Sequence, residues 1–341
     1  MRIANCEMNL GAGNHFYRIF MLQTFSPKCL RIFLILLIPI TVWSQDIKVT
    51  LLGTGTPVPL IERFGPSILV EAGSEKLLFD CGRGASIRLW QLHIPMRDVT
   101  AVFFTHLHSD HVAGFPDFWL TGWLPSPFGL RNKAMRVYGP VGTTQMMLHL
   151  KKAYQADLRI RMADEKIPPA GAEIITKEIK EGVVYEKNGL KVTAFNVDHG
   201  EFIKPAFGYR IDYQGRSVVL SGDTRFSENL IRFSKGADVL FHEVGVAKAE
   251  NLRTSDAARR IIGHHTTPED AGRVFDRVKP RLAVYTHIVL LSTDLTISAP
   301  TVDDLVSLTR KNHSGPLEVG EDLMSIEVGD KITVHRFTSP H

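Results

Sequence analysis

The six residues His106-Leu107-His108-Ser109-Asp110-His111 put three imidazoles and a carboxylate on one short segment. Imidazole nitrogens and carboxylate oxygens are ligands for zinc and related divalent ions. A catalytic zinc takes three protein ligands and keeps one position for water, so four donors exceed what one ion needs. Two ions are the economical reading. His106 and His108 project to one side and hold the first; Asp110 and His111, at the start of the following helix, hold the second. Paired divalent ions turn water into a hydroxide near neutral pH and clamp ester oxygens, so the chemistry implied is hydrolysis. Asp110 is also placed to position the attacking hydroxide.

These donors need a rigid support. Ala101 to Thr105, immediately before the motif, is a continuous apolar run too short for a helix, which suits a buried strand ending where the ligands begin. From Ile47 onward, short β-branched runs alternate with helical patterns. Strands are expected at Ile47 to Leu52, Ser67 to Val70, Leu77 to Phe79, Met135 to Tyr138, Lys191 to Asn196, Phe207 to Asp212, Ser217 to Leu220, Val239 to His242, Leu282 to Thr286, Met324 to Val328 and Lys331 to Phe337. Helices are expected over Ala85 to Leu92, Val112 to Trp123, Gly142 to Ala156, Phe226 to Phe233, Ser255 to Ile262, Pro268 to Val278 and Val302 to Arg310. Residues 157 to 189 read as an irregular connector. Phe115, Trp119 and Trp123, at helical spacing, are a candidate wall for an aromatic-substrate pocket, against the plainer reading as core.

The strand, Thr105-His106-Leu107-His108-Ser109-Asp110-His111 and the helix after it resemble the metallo-β-lactamase superfamily. The resemblance implies a four-layer αββα sandwich, an α/β fold of two mixed sheets flanked by helices. It also implies further ligands downstream in a set order. Asn196-Val197-Asp198-His199-Gly200 supplies His199, Leu220-Ser221-Gly222-Asp223-Thr224 supplies Asp223, and Val284-Tyr285-Thr286-His287 supplies His287. Carried over, His106, His108 and His199 bind one metal, Asp110, His111 and His287 the other, and Asp223 bridges them. Two zinc ions are the expected cofactors, with manganese and iron as alternatives.

Within the superfamily, Asp223 argues against a β-lactamase and His108 against an oxygen-reducing iron centre. Four more elements, Leu52-Gly53-Thr54-Gly55-Thr56-Pro57, Phe207-Gly208-Tyr209-Arg210, Phe241-His242-Glu243 and His264-His265-Thr266-Thr267-Pro268-Glu269, resemble the ribonuclease Z branch, to which metallo-β-lactamase-type arylsulfatases and some phosphodiesterases are similar. That likeness makes His265 the proton donor to the leaving group, oriented and kept charged by Glu243.

Composition and the chain start set the expected substrate. The chain has 341 residues and a net charge of +4. Arg2, Arg18, Lys28 and Arg31 against Glu7 place +3 of that in residues 1–44, leaving +1 for the rest. The apolar run Ile32 to Trp43, flanked by Lys28, Arg31 and Ser44, is too short to span a membrane and reads as a signal peptide cleaved before Gln45, with Met21 an alternative start. Cys6 and Cys29 would leave with it, and Cys81 would stay as a small buried residue. Residues 45–341 then form one hydrolase domain, with no membrane span and a homodimer allowed by the resemblance. Only ten residues, Ile211 to Leu220, join Arg210 to Ser221, where ribonuclease Z usually inserts a basic tRNA-gripping arm. Together these features lead to an exported, periplasmic or secreted hydrolase of small anionic sulfate or phosphate esters, arylsulfatase- or phosphodiesterase-like, with nucleic acid an unlikely partner. A tRNA 3′-processing endoribonuclease, a lactonase and a non-catalytic binding protein stand as alternatives.

Overall fold

The structure, a computed structural model, describes residues 46–338 with their side chains. The chain divides into two compact units, Met1–Ser44 and Gln45–His341. In the first, only the backbone of three short antiparallel strands, Asn5–Met8, Phe16–Met21 and Ile35–Ile40, is described. The signal peptide, its cleavage point and the alternative start at Met21 otherwise lie outside the described residues. No helix among the described residues is long and apolar enough to cross a membrane.

The second unit is built on two mixed sheets. One has eight strands in the spatial order Ile332–His335, Ser325–Val328, Ile47–Gly53, Ser67–Ala72, Glu75–Phe79, Ala101–Phe103, Met135–Gly139 and Ile174–Glu178. The other has seven, running in sequence order from Gly182–Lys187 to Leu317–Val319. Strands buried on both faces read as unbroken apolar runs, and alternate residues serve different cores. Ala101 and Phe103 face the second sheet, whereas Val102 and Phe104 face the helices outside the first. Val239 and Phe241 face the first sheet, whereas Leu240 and Val244 meet the helices outside the second. Helices thus cover both outer faces, and the αββα expectation is met.

The sheets are joined beside the histidine motif. Phe103 stacks on Phe79 at 5.0 Å and on Tyr138 at 4.7 Å. Tyr209, from the opposite sheet, lies 5.1 Å from Phe79 and donates its hydroxyl to the Phe104 carbonyl at 2.6 Å. Aromatic pairs of this kind add roughly 0.5–1.5 kcal/mol each beyond area burial, so the loop following Phe103 starts from a fixed base.

Where expectation and structure part, the reasons are local. The helix expected over Val112 to Trp123 is two, Ser109–Val112 and Phe115–Trp123. They separate at Gly114, where a Cβ would stand 2.0 Å from the Gly82 carbonyl oxygen. Phe115, Trp119 and Trp123 are buried in the outer core, and the two indoles donate to the carbonyls of Ala172 and Pro168; they wall no substrate pocket. Residues 157 to 189, expected to be irregular, hold all but the start of the first turn of the helix Gln155–Asp164 and the whole of the strands Ile174–Glu178 and Gly182–Lys187. Both strands lie at sheet edges, where polar side chains are favoured and the apolar signal is weak. Strands Val239–Ala247 and Leu282–Leu291 run past Glu243 and His287, where polar residues had suggested an end. The link from Arg210 to Ser221 is a hairpin closed by Gln214 and Gly215, both at positive φ (49° and 80°), as a two-residue primed turn requires. Cys81 is fully buried, and burial pushes its thiol well above the ordinary value, as an inert core residue.

Candidate metal centre

Six of the seven donors arrive from the C-terminal end of a strand. Ala101–Phe103 leads into His106, His108, Asp110 and His111; Leu190–Val197 into His199; and Arg216–Leu220 into Asp223. Asp223 follows Gly222, whose φ is +59° and where a Cβ would stand 2.3 Å from the Phe207 carbonyl oxygen. Only glycine fits that turn without strain. His287 arrives differently. Glu243 pairs with Thr286 and Val244 with Ile288, so His287 is the extra residue of a bulge, held at φ +43°. Bulges re-aim one side chain beside functional sites, and this one turns His287 to the centre.

All seven expected residues come together. His106 Nε2 lies 2.9 Å from His108 Nδ1, and His199 Nε2 lies 3.3 Å from the same atom. On the other side, His287 Nε2 lies 3.3 Å and His111 Nε2 3.6 Å from Asp110 Oδ2. Asp223 Oδ2 stands between the two groups, 3.2 Å from His111 and His287, 3.7 Å from His199 and 4.0 Å from His106. The donor sets His106, His108, His199 and Asp110, His111, His287 could each hold an ion.

Outer hydrogen bonds decide which ring nitrogens face inward. Thr105 commits its hydroxyl proton to Asp80 Oδ2 at 2.9 Å, so it accepts from His106 Nδ1 at 3.0 Å. His111 Nδ1 donates to Asp80 Oδ2 at 2.7 Å, and His199 Nδ1 to the His264 carbonyl at 2.9 Å. In each ring the outer N–H is fixed and the Nε2 lone pair is left for the centre. His111 Nε2 is buried and faces the carboxylate oxygens of Asp223 at 3.2 Å and Asp110 at 3.6 Å, an arrangement that a cation between them would satisfy.

The electrostatics agree with that fit. Burial holds His106 well below the ordinary imidazole value and His199 at about 4, so both are neutral ligand-type imidazoles. Burial works against charge at His111 too, but the carboxylates of Asp223 and Asp80 outweigh it and raise the group well above its ordinary value. At Asp223 burial favours the acid form, yet His287 and His111 hold the carboxyl well below the carboxylate range. Carboxylates and buried lone pairs converging on one point are the environment of a divalent cation.

Beside this group, His265 Nδ1 donates to Glu243 Oε2 at 3.0 Å, while Glu243 Oε1 accepts from the Thr266 and Thr224 amides at 2.8 and 3.3 Å. Burial opposes protonation of His265, but the adjacent Glu243 carboxylate raises it to about 9. The His265 ring stacks on His287 with centroids 5.4 Å apart, so the pair faces the ligand cluster. His264 supplies a carbonyl to His199 and packs its ring against Gly200.

The sequence reading missed Asp80 and Thr105. Asp80, at φ +55°, accepts from the Thr105 amide and hydroxyl as well as from His111. Its signal was a lone carboxylate following the apolar strand Leu77-Leu78-Phe79.

Residues 75–288 match the family model described as Beta-lactamase superfamily domain. The ribonuclease Z of Mycolicibacterium gilvum is 33% identical over 284 residues, 83% of this chain and 96% of that protein. The ribonuclease Z of Mycobacterium marinum is 32% identical over 282 residues, 83% and 99%. Two crystal structures share the fold: the metallo-beta-lactamase fold protein YhfI from Bacillus subtilis (TM-score 0.64, 19% identity, 83% of this chain and 99% of that chain) and the short form of human tRNase Z (TM-score 0.59, 23% identity, 83% and 99%).

These findings correct three expectations. The relatives that this chain matches nearly end to end are ribonucleases, so a sulfate or small-ester hydrolase of arylsulfatase type no longer stands. The exclusion of nucleic acid falls with it. It rested on near-neutral charge and on the missing arm, but net charge averages over local arrays of arginine, and proteins bearing the ribonuclease Z name are covered over 96–99% of their length by a chain with a two-residue turn at that place. An exported localisation rested on the signal-peptide reading of residues 1–44, and is withdrawn because the relatives matched over most of the chain are ribonucleases Z. The chain binds divalent metal, hydrolyses ester bonds, and belongs to the ribonuclease Z-like branch of the beta-lactamase superfamily.

Proposed function

We propose that this chain is an endoribonuclease of ribonuclease Z type that cleaves a phosphodiester near the 3′ end of tRNA precursors. His106, His108 and His199 would hold one zinc ion, Asp110, His111 and His287 would hold a second, and Asp223 lies within reach of both sets; manganese or iron would fit the same donors. What carries the reading is the position of Asp223 Oδ2, 3.2–4.0 Å from two imidazoles of each set, in a chain similar to ribonuclease Z over most of its length. A single domain spanning residues 45–341 carries the whole site.

When bound, the ions supply hydroxide at neutral pH and stabilise charge on the phosphate oxygens. The chain's residues do the rest. Asp110 would orient the attacking water. His265 carries a proton at neutral pH because Glu243 lies against it, and with Nδ1 committed to that carboxylate, Nε2 gives the proton to the leaving oxygen. Glu243 is a positioning residue, itself held by two backbone amides.

The test is cleavage of a tRNA precursor carrying a 3′ extension. Metal-loaded protein should release the extension by one cut and lose the activity on chelation; protein that turns over bis-nitrophenyl phosphate but leaves the precursor intact would sink the proposal.

A further inference from the structure

Behind His265 lies a second cavity of about 480 Å³ that the hydrolytic step does not use. Gly245, Leu252, Ile262, Pro268, Pro300 and Leu308 line it. It backs directly onto His265, since a Cβ on Gly245 would stand 2.8 Å from His265 Cβ. It also adjoins a groove beside His265. Leu252, Ile262 and Thr267 line both the cavity and the groove that runs past His265, Arg225 and Arg259 to Asp198.

The two spaces differ in chemistry. In the cavity the walls are largely aliphatic, with Leu252, Ile262, Pro268, Pro300 and Leu308 among the lining residues. Its rim charges are engaged: Lys248 donates to Ser298, Glu269 pairs with Lys311, and Asp304 accepts from the Thr301 amide and hydroxyl. The groove instead presents guanidinium groups. Arg225 is about half exposed and paired with Asp198, and Arg259, also about half exposed, is paired with Asp256 and anchored by the Leu252 and Arg253 carbonyls, so each guanidinium meets the groove with donors left over. A volume of this size accommodates a small planar group with room for its sugar, and single-stranded RNA is recognised by splaying bases into such apolar sites while cations follow the backbone.

We propose that the cavity is a subsite for the base of a nucleotide flanking the scissile phosphate, with Arg225 and Arg259 taking the adjoining backbone phosphate. The proposal rests on the ribonuclease reading above. A strand bound at the ligand cluster and leaving past His265 enters the groove first and meets the cavity next.

Ala249 and Ser307 line the cavity from its exposed rim, so Ala249→Trp and Ser307→Trp fill it from two sides without touching the core. Both variants should lose kcat/KM on a 3′-extended tRNA at least tenfold more than on bis-nitrophenyl phosphate. In the wild-type complex, 2-aminopurine at one position flanking the cut should be protected from acrylamide quenching, and each variant should abolish that protection. Equal losses on the two substrates, or no protected position in a wild-type protein that cleaves the tRNA, overturns the subsite and leaves the ribonuclease reading intact. If the wild type hydrolyses the small ester but neither binds nor cleaves the tRNA, the ribonuclease reading fails and the subsite with it.

Discussion

Asp80 Oδ2 accepts from His111 Nδ1 at 2.7 Å, and the same carboxylate accepts from the Thr105 amide and hydroxyl. Through Thr105 it also fixes the tautomer of His106. One carboxylate that touches no substrate therefore orients an imidazole from each of the two ligand sets. Such outer partners change metal affinity by roughly 10–100-fold. Asp80→Ala is expected to weaken metal retention within that range, with Asp80→Asn milder, in chelator competition. Wild-type retention in Asp80→Ala would show that the ligand rings hold themselves.

His265 and Glu243 make a separate prediction about the leaving group. His265→Ala should slow cleavage of RNA or alkyl esters, whose leaving oxygens need a proton, by ~10²–10⁴-fold, and activated nitrophenyl esters far less. The comparison is kcat on both substrates at the same metal loading. An equal loss would remove the proton-donor role.

Gly222 turns the chain into Asp223 at φ +59°, with no room for a Cβ beside the Phe207 carbonyl. Gly222→Ala should cost roughly 1–3 kcal/mol, read as a lower urea midpoint with an unchanged slope. A midpoint equal to wild type would mean that the turn rearranges freely, and Asp223 would then not be held rigidly.

Trp119 tests the aromatic stripe. It is fully buried and donates to the Ala172 carbonyl, so Trp119→Ala should destabilise by about 3–5 kcal/mol. The folded fraction should keep the wild-type ratio of activities on aromatic and aliphatic esters; a changed ratio would restore the stripe as a substrate wall.

The parts legible in the sequence were those with short-range causes. The motif from His106 to His111 declares itself by donor count, and the buried strands declare themselves as apolar runs. Less legible were features set by distant partners. Asp80 meets Thr105 and His111 only after parallel pairing of Glu75–Phe79 with Ala101–Phe103 brings them together. The bulge at His287 depends on the register with Val239–Ala247. The edge strands Ile174–Glu178 and Gly182–Lys187 carry too little apolar patterning to stand out. The small-ester reading failed because a near-neutral net charge does not report how charges are distributed over the surface.

The most direct test is the metal content of the active protein by native mass spectrometry, wild type beside Asp223→Ala. If Asp223 joins two ligand sets into one hydrolytic centre, the wild type carries two divalent ions per chain, and the variant carries at most one and has lost RNA cleavage. An active wild type holding fewer than one ion per chain, or an Asp223→Ala protein that keeps two ions and full activity, contradicts it.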